Sequence, residues 1–591
     1  MRNLWTCVWE VTLVTTAVAQ RVDALTYDYI IVGGGTCGLV MANRLSQSGA
    51  SSVLVIEAGS SVLNNSAVFD PTAYGAAFGS AIDWAFKTVP QAAADQKTHT
   101  LRAGKALGGT STINGMSYVR AQSPQIDAWQ QAGNTGWTWS SLWPYYLKSE
   151  SFQAPSAVDM IQTHVTYSAA EHGYNGPVKV GWSVEQSNST YPVILNETFQ
   201  AVGLQWNTDT NGGDERGFSV YPLMVDRENN VREDAARAYY YPSAAKAKSL
   251  AVWLNTTANK ILWKRGAPTA SGVQVTFSNG SLAEVRAKKE VILSAGALIS
   301  PILLERSGIG SPTILNKYGI DIVVDLPGVG EGLQDQVNNG LGYTIEGNFT
   351  ANGSKTFVAY PTLSQLFSND SEAYDSFISK VKSSLPAYAS QVASRNNNAT
   401  SAADLLTSFN MQYDLLVKFQ VPAAELIFYT SGQTLQSQHW TLLPFSRGSV
   451  HITSATASPP NAAAAIDPQY FSFAPDVDVQ VFVGEFNRLA FHTQPLSDLA
   501  GTEQSPGAST TSASQWSRWT KKNFRPNYHV MSSAAMLPRS KGGVVDPTGK
   551  VYGTNNVRVV DASIVPFQVC GHLTSTLYAV AERIADLMQQ N

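Results

Sequence analysis

Two kinds of residue in this chain could do chemistry: a glycine cluster shaped for phosphate, and a set of histidines able to move protons. The cluster is Gly33-Gly34-Gly35-Thr36-Cys37-Gly38, a G-x-G-x-x-G pattern, with Glu57 following at the end of the next apolar run. In such a pattern Gly33 permits a tight turn, Gly35 lets backbone N–H groups approach a pyrophosphate at a helix N-terminus, and Gly38 allows close helix packing. Glu57 stands in register to hold the hydroxyls of an adenosine ribose. NAD and FAD satisfy this pattern equally, so it predicts a dinucleotide without naming one. The histidines are His99, His164, His172, His439, His451, His492, His529 and His572. A free imidazole has a pKa near neutrality, which suits general base catalysis, yet any one of these residues alone reads more readily as a hydrogen-bonded structural residue.

The elements that must position these groups are partly visible. YDYIIVGGG, TCGLVMANRLSQSG and SSVLVIEAG read as strand, helix and strand from Tyr27 onward, a βαβ unit with the glycines in its first turn. AKKEVILSAGAL and NVRVVDASIVP look like further buried strands, and LTSTLYAVAERIADLMQQ closes the chain as an amphipathic helix. Between about Gln334 and Pro526 the texture changes to alternating apolar and polar runs, with Ser/Asn/Ala-rich stretches such as SRNNNATSAADLL and GTEQSPGASTTSASQ that read as loops. No period of 20 to 50 residues repeats, which argues against solenoids and propellers.

With 591 residues the chain exceeds what one core usually organises, so two large domains are expected. A net charge of -4 gives no basic field to gather phosphates; nucleic acid is not an expected partner, and an uncharged small molecule is. Residues 1–19 combine Arg2, an apolar stretch and Ala17-Val18-Ala19 in the manner of a cleaved signal peptide, too short for a membrane anchor. A secreted, extracellular protein without membrane attachment is expected. Nine Asn-x-Ser/Thr sequons, at Asn64, Asn188, Asn196, Asn255, Asn279, Asn348, Asn352, Asn369 and Asn398, agree with glycosylation on export. Beyond the leader only Cys37 and Cys570 remain, which permits one disulfide at most and excludes a cysteine-rich metal site; no metal is expected.

The segment from Arg102 to Gly115, RAGKALGGTSTING, resembles the flavin-contacting stretch of the glucose-methanol-choline (GMC) oxidoreductases. SAGALISPILLERSGIG at 294–310 and VRVVDASIVPFQVCGHLTSTLYAVAERIADL near the C-terminus are similar to two further stretches of that family. AYGAAFGSAIDW, GKALGGTSTINGMSY, NVREDAARAYYYP and FRPNYH look closest to its fungal glucose oxidase and FAD-glucose dehydrogenase branch. The resemblance implies FAD as cofactor and an α/β fold: a Rossmann-like FAD-binding domain with a parallel sheet, plus a substrate-binding domain on an antiparallel sheet with helices. Residues 26–333 would form mainly the first domain, with substrate-domain insertions around 165–225. Residues 334–526 would form mainly the second, and 527–591 would return to the first with the catalytic histidines.

By the same resemblance, Gly33, Gly35, Thr36 and Gly38 would line the pyrophosphate and Glu57 the ribose. Arg102, Gly108, Thr110, Asn114 and Gly115 would lie along the flavin segment, and Asp561 with Ala562 at the middle of the cofactor. Asp561 read by itself also suits a helix cap. His529 in FRPNYH and His572 in VCGH match the family's paired active-site histidines. His529 is expected to take the hydroxyl proton and His572 to orient substrate. Arg525 and Asn527 would bond sugar hydroxyls, Glu425 would accept one more, and Tyr74 would form an aromatic wall.

The implied reaction is oxidation of an aldose such as glucose at C1 to the lactone, with a quinone or other non-oxygen acceptor. Oxygen as acceptor, or a secondary-metabolite or aryl alcohol as donor, are the alternatives, and a flavin-bearing hydroxynitrile lyase would differ in never reducing its flavin. The chain departs from the family in two places. After His529 it has Val530-Met531-Ser532-Ser533 where Pro or Gly, a residue and Gly-Thr are usual, so a Ser at 532 predicts a rerouted loop unless strain is tolerated. Gly332 stands where Asn is usual. Cys570, beside the catalytic segment, reads as a small buried residue.

Overall fold

The apolar runs flanking the first glycine turn form parallel strands because nothing polar interrupts them: Ile30, Ile31, Val53, Leu54 and Val55 are wholly buried. In the computed structural model, which describes residues 25–183, 190–244, 248–347, 349, 356–368, 370–457 and 464–590, Thr26–Val32 pairs in parallel with Val53–Ile56 on one side and with Leu282–Leu293 on the other. Leu250–Trp253 extends the sheet beyond Val53–Ile56, and Val557–Val559 joins Leu282–Leu293, both in parallel. An antiparallel meander, Thr256–Trp263, Ala270–Phe277 and Leu282–Leu293, completes its far side. The leader over 1–19 and the sequons at Asn188, Asn348, Asn352 and Asn369 lie outside the described residues.

Four strands of this sheet end at one edge, and each is followed by a residue singled out above or its neighbour. Val32 leads to Gly33, Ile56 to Glu57, Leu293 to Ser294, and Val559 through Val560 to Asp561. Open α/β sheets bind ligands outside the carboxyl ends of their strands, and this edge is where the chain concentrates its glycines. The C-terminal helix Leu573–Gln590 packs back on Thr36–Ser46, with Arg44 Nη2 2.6 Å from Glu582 Oε1. The last segment of the chain thereby braces the first.

A second sheet is antiparallel throughout, in the order Ala500–Ser505, Val337–Ile345, Thr434–Thr441, Ala424–Ser431, Phe357–Tyr360 and Gly217–Val220. Arg525–Pro526 adds a short edge beside Val337 and Asn338. The helices Ser371–Ala393, Ala402–Val417 and Ala474–Phe491 belong to the same stretch of chain, and the last packs on Thr434–Thr441.

Two stretches expected to be loops are partly regular. Ser401 accepts a hydrogen bond from Asp404 N and starts a helix inside SRNNNATSAADLL. Ser512 and Gln515 form a capping box that starts Ala513–Asn523, while Ala500–Ser505 is a strand. Serine and asparagine read as loop formers, but at a helix start the same hydroxyl is a cap.

Most histidines outside the cavity have structural surroundings. His172 bridges Glu150 and Asp209 at 2.8 Å each, and Glu150 also pairs with the buried Arg120. His451 lies between Glu305 at 2.7 Å and Glu331 at 3.1 Å; burial lowers its proton affinity, but the two carboxyls outweigh that and push it up to about 10. His439 is buried against Asn487, and desolvation pushes it down to about 3. Cys37 and Cys570 are both free and buried rather than joined, and burial pushes both thiols well up, so neither is a ready nucleophile. Among the described residues no helix is long and apolar enough to cross a membrane.

Candidate active site

A cavity of about 320 Å³ runs from the strand ends of the first sheet to the face of the second. Its inner end is walled by backbone. Gly33 holds φ +106°, and a Cβ there would fall 2.3 Å from the carbonyl oxygen of Ser294. Gly35 and Gly109 meet so closely that a Cβ on Gly109 would stand 2.6 Å from Gly35 Cα. The helix Thr36–Ser46 begins at Gly35 with no side-chain cap, so its first turn presents its N–H groups and dipole to the cavity, where Gly35, Thr36 and Cys37 line the wall. This is the donor set a pyrophosphate needs.

Glu57 lines the cavity beyond the glycines, held by Gly34 N and Gly59 N at 2.8 Å each. Burial raises its carboxyl, against those two N–H groups, to about 7. Asp561 lines the opposite side and is also the cap of the short turn Ala562–Ile564, so its two readings coexist. Its Oδ2 accepts from Gly296 N and Ser300 Oγ, and its Oδ1 from Ser563 N. Asn114 faces the cavity midway, tied through Nδ2 to Thr574 and through Oδ1 to Met116 N. The fully buried Arg232 donates to Asn114 Oδ1 and to the Asn114 and Ser111 carbonyls, clamping that segment from behind.

At the outer end the wall is made of side chains. His529 and His572 stand with ring centroids 5.2 Å apart and planes at 85°. His529 Nδ1 is 2.7 Å from Gln336 Oε1, and Gln336 is oriented by donating its Nε2 to the Leu442 carbonyl at 2.8 Å. The oxygen of Gln336 therefore faces the imidazole, nearer to Nδ1 than the Asn527 amide nitrogen at 3.2 Å, so Nδ1 carries the hydrogen that Gln336 accepts and Nε2 is left as a lone pair. Desolvation, then the neighbouring His572 and Arg525, push the proton affinity of His529 well below its ordinary value, which keeps that lone pair free at neutral pH. The backbone holds the ring in place: His529 N donates to Asp335 Oδ1 at 2.8 Å, and the His529 carbonyl accepts from Gln568 Nε2 at 3.0 Å. His572 Nε2 lies 2.9 Å from Glu425 Oε1, with its ring between Tyr221 and Trp440. Arg525, Asn527, Gln438, Ile427, Tyr74 and Trp440 complete the outer wall, and Tyr74 is 38% exposed at its rim.

The structure brings Gly33, Gly35, Thr36, Glu57, Arg102, Thr110, Asn114, Gly115, Asp561, Ala562, Tyr74, Arg525, Asn527, His529 and His572 to one cavity. Three expected residues stand behind its wall. Gly38 is packed where a Cβ would lie 2.0 Å from the Gly33 carbonyl oxygen, so it serves helix packing rather than the lining. Gly108 holds φ +107° against Thr112 and Asp234, and it is Gly109 that reaches the cavity. Glu425 is wholly buried in Ala424–Ser431 and touches His572, not the cavity, although Ile427 on the same face of that strand does reach the wall. Arg102 lines the cavity while paired with Asp83 at 2.7 Å.

Ser532, in the loop after His529, meets the strained case allowed for above. Ser532 adopts φ +72° itself, and its hydroxyl is anchored by donating to the Val565 carbonyl at 2.7 Å and accepting from Gln334 Nε2 at 2.9 Å. Two hydrogen bonds hold a conformation that glycine would adopt freely. Gly332 has φ +74°, and a Cβ there would meet the Ser532 carbonyl oxygen at 3.8 Å, an ordinary contact. Gln334, Gln336 and Gln568, which steady this segment, carry no signal in the sequence. Isolated glutamines carry no motif, and only the fold brings them under the histidine loops.

Residues 27–338 and 444–581 match the N- and C-terminal family models described as GMC oxidoreductase. The chain is 39% identical over 586 residues to glucose oxidase-like protein fsoC of Humicola fuscoatra, covering 97% of both chains. It is 36% identical over 581 residues to glucose oxidase of Aspergillus carbonarius, covering 96% of this chain and 93% of that one. Among solved structures, an FAD-dependent oxidoreductase from Chaetomium thermophilum superposes with a TM-score of 0.88 at 28% identity, covering 95% of this chain and 99% of that one. A fungal aryl-alcohol oxidase gives 0.82 at 26% identity over the same shares. Glycine cradle, uncapped helix and family match agree on the cofactor, FAD, and the chain belongs to the GMC oxidoreductases.

Proposed function

We propose that this protein oxidises an aldose, glucose being the leading candidate, at C1 to the lactone, with His529 as the base. The observation that carries the reading is the neutral His529, whose Nδ1–H is fixed on Gln336 and whose Nε2 lone pair is left for a substrate hydroxyl. The chemistry FAD supplies when bound is acceptance of the hydride leaving the same carbon. Gly33, Gly35, Thr36 and Glu57 would hold its adenosine and pyrophosphate part, Asp561 and Ala562 its middle, and the segment from Arg102 to Gly115 its flavin part. His529 Nε2 takes the hydroxyl proton, which leaves a carbonyl where the C–H and O–H were. His572, steadied by Glu425, orients the hydroxyl. Arg525, Asn527 and Gln438 line the outer wall with fixed donors and acceptors, which suits a polyhydroxylated substrate better than an aryl alcohol. Tyr74 and Trp440 supply the aromatic faces.

A quinone or similar carrier is the proposed acceptor, supported by the resemblance of AAFGSAIDW and PFQVCGHLTSTLYAV to the dehydrogenase members. Oxygen is the second reading, favoured by relatives that bear the name glucose oxidase. The two sheets support a chain that builds the FAD domain mainly over 26–333, the substrate domain mainly over 334–526, and returns over 527–591, with Gly217–Val220 inserted into the second sheet. The leader and the exposed sequons Asn64, Asn255, Asn279 and Asn398 support export with glycosylation.

The test is anaerobic mixing of the yellow holoenzyme with glucose, xylose and an aryl alcohol, followed by air or a quinone. Bleaching by glucose with recovery on quinone is expected. Bleaching by the aryl alcohol alone would overturn the donor, and fast recovery in air would move the acceptor to oxygen.

A further inference from the structure

Behind His572, away from the cavity, the protein buries two carboxyl groups together. Glu425 lies in the strand Ala424–Ser431, and Glu215 lies just before Gly217–Val220; both are 0% exposed. Glu425 gives Oε1 to His572, but its Oε2 has no hydrogen-bond partner, and among the described residues Glu215 has no side chain near its oxygens to bond with except the Gln122 amide, in poor geometry. The nearby amide of Gln122 is directed to Asp214 Oδ1 at 3.2 Å. Around the two carboxyls stand the unpartnered hydroxyl of Tyr360, Cys570, Tyr146 and Asp214, and Asp214 is itself paired outward with Arg216. Gln125, which accepts from Cys570 N, has an unpartnered Nε2 beside them. Among the described residues no lysine or arginine pairs with either Glu215 or Glu425.

Two carboxylates in a dry interior without a cation cannot both be ionised, so the pair must keep a proton. The oxygen that faces His572 is the one whose charge has a partner, which leaves the proton on Glu215. Burial first, then the nearness of Glu425, raise the Glu215 carboxyl well above the usual range, in agreement. The orphaned oxygens, the Tyr360 hydroxyl and the Gln125 amide are the kind of polar set that a shared proton or a buried water satisfies.

We propose that Glu215 and Glu425 form a proton-sharing carboxyl pair, and that Glu215 is a positioning residue which sets the acid–base behaviour of His572 from inside the protein. The functional half of this rests on the reading of His572 given above. With Glu215 protonated, Glu425 is free to accept from His572 Nε2–H and the ring is held in one orientation. Ionisation of Glu215 would place a second negative charge behind His572, so the site acquires an alkaline transition that a variant without the Glu215 carboxyl lacks.

The test compares wild-type holoenzyme with Glu215→Gln, which keeps the shape and the neutral state but has no carboxyl proton. Infrared difference spectra across a pH titration, with ¹³C-glutamate labelling for assignment, should show a protonated carboxyl persisting above neutral pH in the wild type and missing from the variant. Anaerobic flavin reduction by glucose should keep its neutral-pH rate in Glu215→Gln within about twofold, while the ratio of alkaline to neutral rates changes by about threefold or more. A wild-type spectrum without such a band overturns the pair, and this holds even if the variant fails to retain FAD. A band lost in the variant with pH profiles that superimpose overturns the role assigned to Glu215. Should glucose bleach neither enzyme, the proposed function fails, and the infrared result still decides the pair.

Discussion

Where the cavity meets the first sheet its wall is backbone: Gly33 lies against Ser294 and Gly109 against Gly35 at distances that leave no room for a Cβ on Gly33 or Gly109, and an uncapped helix turn supplies the donors. Where it meets the second sheet its wall is side chains, gathered from Tyr74, Trp440, Arg525, His529 and His572 and steadied by Gln336, Glu425 and Gln568. The inner end holds a ligand by shape and dipole, which are all-or-none properties. The outer end presents groups whose proton affinity and orientation are set by neighbours, and those can be graded one at a time.

The contrast predicts different responses to substitution. The largest loss is expected at the inner end: Gly33→Ala places a Cβ 2.3 Å from the Ser294 carbonyl oxygen in a φ region that alanine avoids. Purified Gly33→Ala should carry little FAD by absorbance and lose about 3 kcal/mol or more in denaturant unfolding. A yellow, stable Gly33→Ala would break the claim that this wall has no room.

At the outer end, Gln336→Leu removes the acceptor that fixes the His529 tautomer while leaving the cradle untouched. Flavin reduction by substrate should slow by about tenfold to a hundredfold with FAD content unchanged. Gln336→Glu sharpens the point, since a carboxylate on Nδ1 would raise the proton affinity of His529 and move the acid limb of the rate profile to higher pH.

The wild-type profile has its own sign. His529 is held well below its unfolded value, so the base stays unprotonated through the neutral range, and flavin reduction should vary by no more than about twofold between about pH 8 and pH 6, falling only as pH drops toward the depressed folded value. The same shift makes folding stability greatest above the unfolded value near about 6.5 and lowers it as pH falls further, readable as a falling Tm in acid. A reduction rate that halves repeatedly below neutrality would show that the histidine is not held neutral.

The smallest effects belong to the loop that links the two ends. Ser532→Ala keeps φ +72° and loses two hydrogen bonds, an expected cost of about 2 kcal/mol. Ser532→Gly loses the same bonds but relieves the left-handed strain, for a net cost of about 1 kcal/mol. Thermal unfolding should therefore rank wild type above glycine above alanine, and the reverse order of the two variants would mean that the backbone is not strained.

How much of this was legible in the chain follows from the same contrast. The cradle is contiguous: Gly33 to Gly38, Glu57 and the segment from Arg102 to Gly115 are short runs whose spacing is itself the requirement, and the strands around them are uninterrupted apolar runs. Even there, spacing did not distinguish Gly109, which reaches the cavity, from Gly108, which is strained behind it. The histidines were found through resemblance, since a lone imidazole looks the same in a clamp such as His451 as in a catalytic wall. The steadying groups are less legible: Gln336 lies just before Val337–Ile345, Gln568 is 39 residues from the carbonyl it holds, and Glu425, expected to touch substrate, is buried against His572 instead. Ser532 looked like a broken loop, because its departure from glycine is visible in sequence while its anchors, Gln334 and Val565, are not.

The central claim is that the lone pair of His529 is the proton acceptor in an otherwise intact FAD site. Anaerobic stopped-flow mixing of glucose with His529→Ala holoenzyme tests it most directly: the variant should remain yellow with wild-type FAD content while flavin reduction slows by about a thousandfold. A His529→Ala protein that bleaches with glucose at a rate near the wild type would contradict the account.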